Sequence, residues 1–340
     1  MSEKKIIQAT NLTIGYCENK KVKTVHHDLN FELNLGELTC LLGANGAGKS
    51  TLLRTLSAAQ PQLSGKLWLN GKDIESYSER ERSKTIGVVL TDKTFAGGLT
   101  VYELVALGRQ PHTGFFGILN KNDHKIVHNA IESVGIMHKA ESYIAELSDG
   151  ERQKAMIAKA LVQESPIIIL DEPTAFLDVV SRIEIMQLLH KIATEQNRAI
   201  LLSTHDIDQA LVLADKLWLL TKGHGLTCGC TEDIIFQHKM DELFSHSEIK
   251  FDYDHGVYYP TVKGEKKIAL YAEDSTLLHW TLNALNRIGY SCKIISTSER
   301  QNNRYPTLSA FSPNNFIIQM GENTQKLQSF KEIVNFLKHT

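Results

Sequence analysis

The stretch Gly43-Ala-Asn-Gly-Ala-Gly-Lys49-Ser50-Thr51 decides the fold of this chain. It fits the pattern G-x-x-x-x-G-K-[ST], in which the backbone N–H groups of a glycine-rich turn surround a phosphate. Residues 38–42 before it are mostly apolar, which predicts a buried strand. Residues 49–58 after it predict a helix whose N-terminus adds positive potential. We therefore predict a strand, a phosphate-binding loop and a helix in succession.

Each residue type in this loop has a chemical use. The glycines let the backbone curl around an anion. Lys49 brings a positive charge to the β- and γ-phosphates of a nucleotide, and the Ser50 hydroxyl is a ligand for Mg²⁺. The predicted nucleotide contacts in the loop are Gly43, Ala44, Asn45, Gly46, Ala47, Gly48, Lys49, Ser50 and Thr51.

Length and composition set limits on the fold and on the location of the chain. At 340 residues the chain exceeds the usual size of one hydrophobic core, so we expect two domains. Its net charge of −2 gives no global field that attracts nucleic acid or anionic lipid. No apolar run approaches the roughly 20 residues of a spanning helix, and residues 1–10 lack the apolar core of a signal peptide. The sequence predicts a cytosolic protein that does not bind nucleic acid.

Strand and helix patterns alternate along most of the chain. Residues about 92–160 contain helical patterns and few strand formers, which indicates a helical insert. Strand patterns occur at residues 6–16, 29–35, 67–69, 167–171 and 199–203, with a helix pattern at 181–195. This order predicts an α/β domain in which helices cover a largely parallel sheet.

The composition changes near residue 250. A charged connector at Lys263–Lys267 precedes a strand pattern at 268–272, a helix pattern at 275–288 and a strand pattern at 293–296. A second strand and helix pattern follows at 316–319 and 327–337. We predict a first domain at residues 1–248 and a small α/β domain at 265–340. The small domain contains no catalytic motif, and we interpret it as a regulatory domain.

Four further motifs follow the phosphate loop. Asp171 and Glu172 end an apolar strand, where the first carboxylate can hold Mg²⁺ through a water and the second can polarise a water that attacks the γ-phosphate. His205 follows the strand at 199–203, so its imidazole can reach the same edge of the sheet. Leu147–Gln153 comes before Asp171, and Phe176–Asp178 begins four residues after Glu172.

Together the five ordered motifs resemble the ATP-binding subunits of ABC transporters over roughly residues 5–245. The segment Leu99–His112 is similar to importers of iron–siderophore complexes, haem and cobalamin. This resemblance implies a phosphate-loop ATPase domain with a helical subdomain and Mg²⁺ and ATP as cofactors. It also implies a head-to-tail homodimer, bound to an integral-membrane permease on the inner face of the cell membrane and served by an external substrate-binding protein.

The resemblance assigns roles to residues beyond the phosphate loop. Glu172 and His205 match the catalytic glutamate and the switch histidine. Asp171 and Ser50 match the metal-binding pair. Tyr16 matches the aromatic residue that stacks on adenine, with a core tyrosine as the alternative. The residues that match contacts made across the dimer are Ser148, Gly150 and Asp178.

Two motifs depart from the family pattern. Where the family has a metal-binding glutamine, this chain has Thr91, followed by Asp92, so either side chain is a candidate Mg²⁺ ligand. The signature LSGGQ reads Leu147-Ser-Asp149-Gly-Glu151 here. Ser148 and Glu151 have the spacing of a capping box, and acids at a helix N-terminus are stabilised by its dipole. Negative charge at this place would weaken nucleotide binding across a dimer unless the carboxylates point away.

Three alternatives stand beside an importer ATPase. One is an exporter ATPase, and another is a soluble ABC ATPase that acts on DNA or ribosomes. Long coiled-coil insertions and a second cassette, which are typical of that soluble class, do not occur in this sequence. The third is a regulatory nucleotide-binding module without hydrolysis, which the intact Glu172 and His205 disfavour.

Overall fold

A computed structural model describes residues 4–18, 21–90, 98–114, 117–244, 248–260, 266–300 and 304–339. The chain divides into two compact units. The first comprises Met1–Ser245 and Phe251–Tyr258, and the second comprises His246–Lys250 and Tyr259–Thr340. No helix within these described ranges is both long and apolar enough to cross a membrane.

Strands and helices alternate through the first unit. Its strands are β1 (Lys5–Glu18), β2 (Lys21–Asn34), β3 (Leu38–Leu42), β4 (Ser64–Leu69), β5 (Lys72–Asp73), β6 (Ile86–Val89), β7 (Ile167–Asp171), β8 (Ala199–Ser203), β9 (Lys216–Thr221) and β10 (Gly225–Cys230). Its helices are α1 (Lys49–Leu56), α2 (Glu79–Thr85), α3 (Val101–Ala106), α4 (Lys121–Ser133), α5 (Asp149–Leu161), α6 (Val179–Glu195), α7 (Ile207–Leu213) and α8 (Thr231–Phe236). A pair of short strands follows, β11 (Ile249–Asp252) and β12 (Val257–Pro260).

A six-stranded sheet forms the centre of the first unit, in the order β10-β9-β3-β8-β7-β6. All neighbouring pairs are parallel except β10 with β9. Every residue of β3 and β8 is buried, as expected for strands covered on both faces. The prediction of an α/β fold with a largely parallel sheet is confirmed. Because β3, β7 and β8 run in the same direction, the motifs that follow them lie at one edge of the sheet.

A second, antiparallel sheet in the order β2-β1-β4-β5 packs against the central one. Asn70 and Gly71 have φ angles of 50° and 76°, the left-handed pair that a tight two-residue hairpin needs. Phe31 on β2 packs on Trp218 of β9, with ring centroids 4.7 Å apart. Leu29, Phe31 and Leu33 alternate into this core, as the sequence pattern predicts.

The helical part of the first unit contains a buried ion pair. Arg109, only 4 % exposed, donates from Nε to Asp123 at 2.9 Å and from Nη1 to the Val162 carbonyl oxygen and to Glu164, both at 2.7 Å. These bonds tie the segment after α3 to the start of α4 and to the end of α5. A buried charge is tolerated only when it is paired and hydrogen-bonded, so this network specifies how the three helices meet.

The second unit is a five-stranded sheet with two helices. Its elements are β13 (Lys266–Ala272), α9 (Ser275–Arg287), β14 (Tyr290–Ile294), β15 (Thr307–Ser312), β16 (Asn315–Met320), β17 (Asn323–Leu327) and α10 (Phe330–Lys338). The strand order is β14-β13-β15-β16-β17, parallel for the first three and antiparallel for the rest. The two helices contact each other. The Tyr290 hydroxyl at the start of β14 donates to the Leu337 carbonyl oxygen in α10.

The sequence patterns predicted only some of the strands of this second unit. The strand expected at residues 293–296 lies instead at Tyr290–Ile294, because β14 pairs with β13 from Lys266 opposite Tyr290 onward. No pattern predicted β15, whose Thr307 and Ser309 are buried although polar. The pattern also missed β17, an edge strand with four exposed residues.

The strand pair β11–β12 suggests where the chain can be cut. Phe251 is 4 % exposed and belongs to the core of the first unit, and the Tyr258 hydroxyl donates to the Met240 carbonyl oxygen at 2.6 Å. We predict that a chain ending after Pro260 folds, stays soluble and binds ATP. A chain ending after Phe244 should melt several degrees lower, because it exposes the apolar surface that Phe251 covers. Size-exclusion chromatography and thermal unfolding test both, and an insoluble 1–260 chain would contradict the proposed domain boundary.

Candidate functional site

The loop between β3 and α1 has a backbone shape that requires glycine. Gly46 and Gly48 have φ angles of 70° and 102°. A Cβ on Gly43 would lie 2.6 Å from the Leu220 carbonyl oxygen, and one on Gly48 would lie 2.6 Å from Val25 Cγ1. None of the described side chains caps α1, so the N–H groups of its first turn are free to bind an anion.

The ammonium of Lys49 lies inside this loop. The residue is 6 % exposed, and its Nζ donates to the Gly43 carbonyl oxygen at 2.9 Å. Burial lowers the pKa of Lys49, and the nearby carboxylates of Glu172 and Asp171 act in the opposite direction. The lysine is therefore held at the position where a phosphate oxygen can replace the loop carbonyl.

Two carboxylates stand at the end of β7, next to the loop. The Ser203 hydroxyl donates to Asp171 Oδ1 at 2.6 Å and accepts the Glu172 N–H at 3.0 Å. Glu172 has a φ of 49°, a left-handed conformation that is uncommon for this residue type. Sequence reasoning missed Ser203, because only the pairing of β7 with β8 brings it to the carboxylates.

His205 joins the lysine to the glutamate. Its Nε2 lies 2.9 Å from Glu172 Oε1 and 3.2 Å from Lys49 Nζ. Because a carboxylate only accepts and an ammonium only donates, Nε2 donates to Glu172 when it carries the ring proton and accepts from Lys49 when it does not. The structure therefore brings Lys49, Glu172 and His205 together, from three motifs that are far apart in sequence.

A cavity of about 490 Å³ opens above the loop, which is within the range of small-ligand pockets. Tyr16 lines this cavity directly opposite Lys23 in the β1–β2 pair, and the Lys23 ammonium is 5.4 Å from the tyrosine ring centroid. The lining residues are Tyr16, Lys23, Thr24, Val25, His26, Asn45, Gly46, Ala47, Gly48, Lys49, Ser50, Thr51, Glu172 and Lys222.

Five of these lining residues were not predicted from the sequence, namely Lys23, Thr24, Val25, His26 and Lys222. Lys23 and His26 lie on β2, where their position against the loop depends on strand pairing and packing. Lys222 follows β9, and its Nζ lies 3.7 Å from where a Cβ of Gly46 would be. No local pattern around Lys222 marks it as a cavity residue.

The signature segment begins α5 with the predicted capping box. The Ser148 hydroxyl accepts the Glu151 N–H at 3.3 Å, and the Glu151 carboxylate accepts the Ser148 N–H at 2.9 Å. These bonds to Ser148 lower the pKa of Glu151. Asp149 is 61 % exposed and pairs with Arg152, 2.8 Å from its Nη1. Both unusual acids thus have partners within their own helix.

The remaining predicted contacts lie near one another but outside the cavity lining. Asp178 caps α6 by accepting the Ser181 N–H at 3.0 Å and the Ser181 hydroxyl at 2.8 Å, and the bonds to Ser181 lower the pKa of Asp178. A Cβ on Gly150 would lie 3.0 Å from Ser181 Oγ, so the starts of α5 and α6 meet at this serine. Ser148, Gly150 and Asp178 are all absent from the lining of the cavity, as far as the described residues define it.

Two of the three predicted metal ligands, Ser50 and Asp171, lie among the described residues. Ser50 lines the cavity, and Asp171 stands close enough to Lys49 for its charge to affect the lysine pKa. Hydroxyl and carboxylate oxygens are the hard donors that Mg²⁺ prefers, so this donor set fits the ion. Thr91 lies outside the described residues.

Comparison with known proteins assigns the family. The model of the ABC transporter family matches residues 26–175. An uncharacterised ABC transporter ATP-binding protein of Methanocaldococcus jannaschii is 40 % identical over 239 residues, which cover 70 % of this chain and 81 % of the relative. The ferric enterobactin transport ATP-binding protein FepC of Escherichia coli is 36 % identical over 238 residues, which cover 70 % of this chain and 86 % of the relative.

Solved structures agree with the sequence relatives. The protein cbiO1 of Clostridium perfringens, part of the ABC transporter complex cbiONQ, aligns with a TM-score of 0.61 at 29 % identity, over 71 % of this chain and 96 % of that one. A dimeric structure of a bacterial ABC transporter cassette aligns with a TM-score of 0.58 at 25 % identity, over 66 % of this chain and 99 % of that one. The chain therefore belongs to the ATP-binding subunits of ABC transporters, and it is an ATPase.

Proposed function

We propose that this chain is the ATP-hydrolysing subunit of a membrane importer whose cargo is an iron–siderophore, haem or cobalamin-type compound. The observation that carries hydrolysis is the convergence of Lys49, Glu172 and His205 within about hydrogen-bond distance at the phosphate loop. The observation that carries import is the similarity to relatives such as FepC, named for ferric enterobactin transport. Exporters and soluble ABC ATPases are disfavoured by the same relatives.

Each side chain of the site has a role in this proposal. Adenine stacks on Tyr16, and the triphosphate binds to the N–H groups of the loop and the first turn of α1. Lys49 exchanges the Gly43 carbonyl oxygen for phosphate oxygens and stabilises the charge that spreads over them in the transition state. Glu172 accepts a proton from the attacking water, and His205 orients Glu172 and the γ-phosphate.

Mg²⁺ is the metal that the family implies. Ser50 would hold it directly, and Asp171 would hold it through a water, with Thr91 as a further candidate ligand. When bound, the ion neutralises charge on the β- and γ-phosphates. The Ser203 hydroxyl keeps the Asp171 carboxylate at its place whether or not the ion is present.

We propose that the chain acts as a homodimer, in keeping with the dimeric cassette it resembles. Ser148 and Gly150 would contact the γ-phosphate that the partner subunit binds, and Asp178 would contact the partner's phosphate loop. The support is geometric, because these residues stand at two adjacent helix N-termini outside the chain's own cavity. Exposed Phe176, Val179 and Val180 beside Asp178 supply the apolar area that such a contact buries.

A groove on the first unit offers a place for the permease. It has a volume of about 830 Å³ and is lined by residues that include Arg80, Leu107, Gly108, Gly114 and Lys159. Leu107 is 54 % exposed and lies in the segment that is similar to importers. Arg80 of α2 donates to the carbonyl oxygens of Pro111 and Thr113. These bonds hold α2 next to the segment that follows α3, and both line the groove. Docking here would place the chain on the inner face of the membrane, with an external binding protein delivering cargo to the permease.

Replacement of Glu172 tests the catalytic assignment. We expect Glu172→Gln to bind ATP but to hydrolyse it at least about 100-fold more slowly, because the amide does not accept the proton. The variant should accumulate as an ATP-bound dimer, measurable by size-exclusion chromatography. Glu195→Gln, an exposed change at the end of α6, is the control. Near-normal turnover of Glu172→Gln would remove this residue from the catalytic role.

Replacement of Asp149 tests how the unusual signature works. Because Asp149 pairs with Arg152, we expect Asp149→Gly to lower the free energy of unfolding by a few tenths to about 1 kcal/mol. The midpoint of ATP-dependent dimerisation and its salt dependence should stay unchanged when measured in the Glu172→Gln background. A tighter and less salt-sensitive dimer would show instead that Asp149 faces the phosphate of the partner subunit.

Replacement of Leu107 tests the permease groove. We expect Leu107→Asp to reduce recovery of the chain on membranes that contain its permease by at least about 10-fold, because it places a charge in an apolar contact. Met137→Asp is the control, since Met137 is another exposed apolar residue of the helical part, outside the groove. Equal recovery of both variants would place the permease contact elsewhere on the chain.

A further inference from the structure

We propose that His26 is a positioning residue of the nucleotide site, which holds the phosphate loop in its anion-binding shape. This inference rests on the proposed nucleotide site. His26 lies on β2, is 6 % exposed and lines the cavity. Its Nε2 lies 2.6 Å from the carbonyl oxygen of Ala47, a residue of the loop itself.

The chemistry of this contact fixes the direction of the hydrogen bond. A carbonyl oxygen only accepts, so His26 Nε2 carries a proton and donates it to Ala47. The bond therefore exists in both the neutral and the charged form of the imidazole. It is short and shielded from water, which makes its loss more costly than the loss of an exposed bond.

The bond also determines where the next N–H points. In a trans peptide the C=O and the following N–H point in opposite directions, and the described residues contain no cis peptide. With the Ala47 carbonyl turned to His26, the Gly48 N–H faces away from the histidine. No acceptor among the described residues takes that N–H, so it remains available to a phosphate.

Gly48 makes this restraint necessary. Gly48 has a φ angle of 102°, and it has no side chain that limits backbone rotation. The peptide group between Ala47 and Gly48 can therefore flip easily. The β2 strand packs directly against it, since a Cβ on Gly48 would lie 2.6 Å from Val25 Cγ1 and 3.2 Å from His26 Cδ2. The strand restricts the loop by contact, and His26 adds a directional bond.

The same strand connects the two ends of the nucleotide. β2 pairs with β1, and this pair carries both Tyr16, the proposed adenine contact, and His26, the phosphate-loop contact. Loss of the His26 bond should therefore affect the phosphate end of a nucleotide and leave the base end unchanged. A residue that only fills the core would affect both ends alike.

The test compares five variants by the affinity of two fluorescent probes, trinitrophenyl-ATP and trinitrophenyl-adenosine. We expect His26→Ala to weaken ATP-probe binding about 10-fold or more, with adenosine-probe binding within about 2-fold of the unmodified chain. His26→Gln should recover ATP-probe binding to within about 3-fold, because its amide nitrogen is as many bonds from Cβ as the imidazole Nε2. His26→Asn, with a shorter side chain, should not recover it.

His27→Ala is the matched control. His27 is the next residue, is exposed and pairs with Asp28, so its loss should leave both affinities unchanged. If His26→Ala fails to fold, the difference between His26→Gln and His26→Asn still tests the bond. The inference is overturned if Gln and Asn behave alike, or if both probes weaken together.

Lys49→Ala separates this inference from the proposed site. If Lys49→Ala loses ATP-probe binding while His26→Ala retains it, only the role of His26 is wrong. If Lys49→Ala binds the ATP probe like the unmodified chain, the proposed nucleotide site itself is wrong, and the role of His26 is wrong with it.

Discussion

Burial of the Lys49 ammonium is the constraint on which the site depends. An isolated charge inside a protein costs several kcal/mol, so the fold must supply partners for it. A loop carbonyl and two carboxylates do so, and they come from the ends of β3 and β7, which both pair with β8. The parallel register of these three strands is what brings them together. Lys49 can therefore be buried only because the strand order brings its partners to the phosphate loop.

Much of this arrangement could be predicted from the sequence, because each motif follows an apolar strand. The phosphate loop, Asp171 with Glu172, and His205 come after strand patterns that the structure confirms. The capping box at Ser148 could be predicted equally well, because it depends only on neighbouring residues. Motifs whose residues are close together in the sequence at a fixed spacing can be predicted best from the sequence alone.

The parts that could not be predicted depend on contacts between distant segments. Ser203 and His26 contribute hydrogen bonds whose partners lie 31 and 21 residues away, and neither belongs to a recognisable pattern. In the second unit, β15 buries the polar residues Thr307 and Ser309 together with its apolar ones, and β17 is an edge strand with four of its five residues exposed. Their existence follows from pairing with β13 and β16 rather than from their own composition.

The left-handed backbone of Glu172 has a consequence for the energetics of the ATPase cycle. Such a conformation costs about 1–3 kcal/mol in a non-glycine residue, and here the bonds to Ser203 and His205 hold it. Folding has therefore already oriented the carboxylate before any nucleotide arrives. The reorganisation energy of each turnover then contains no contribution from ordering this group.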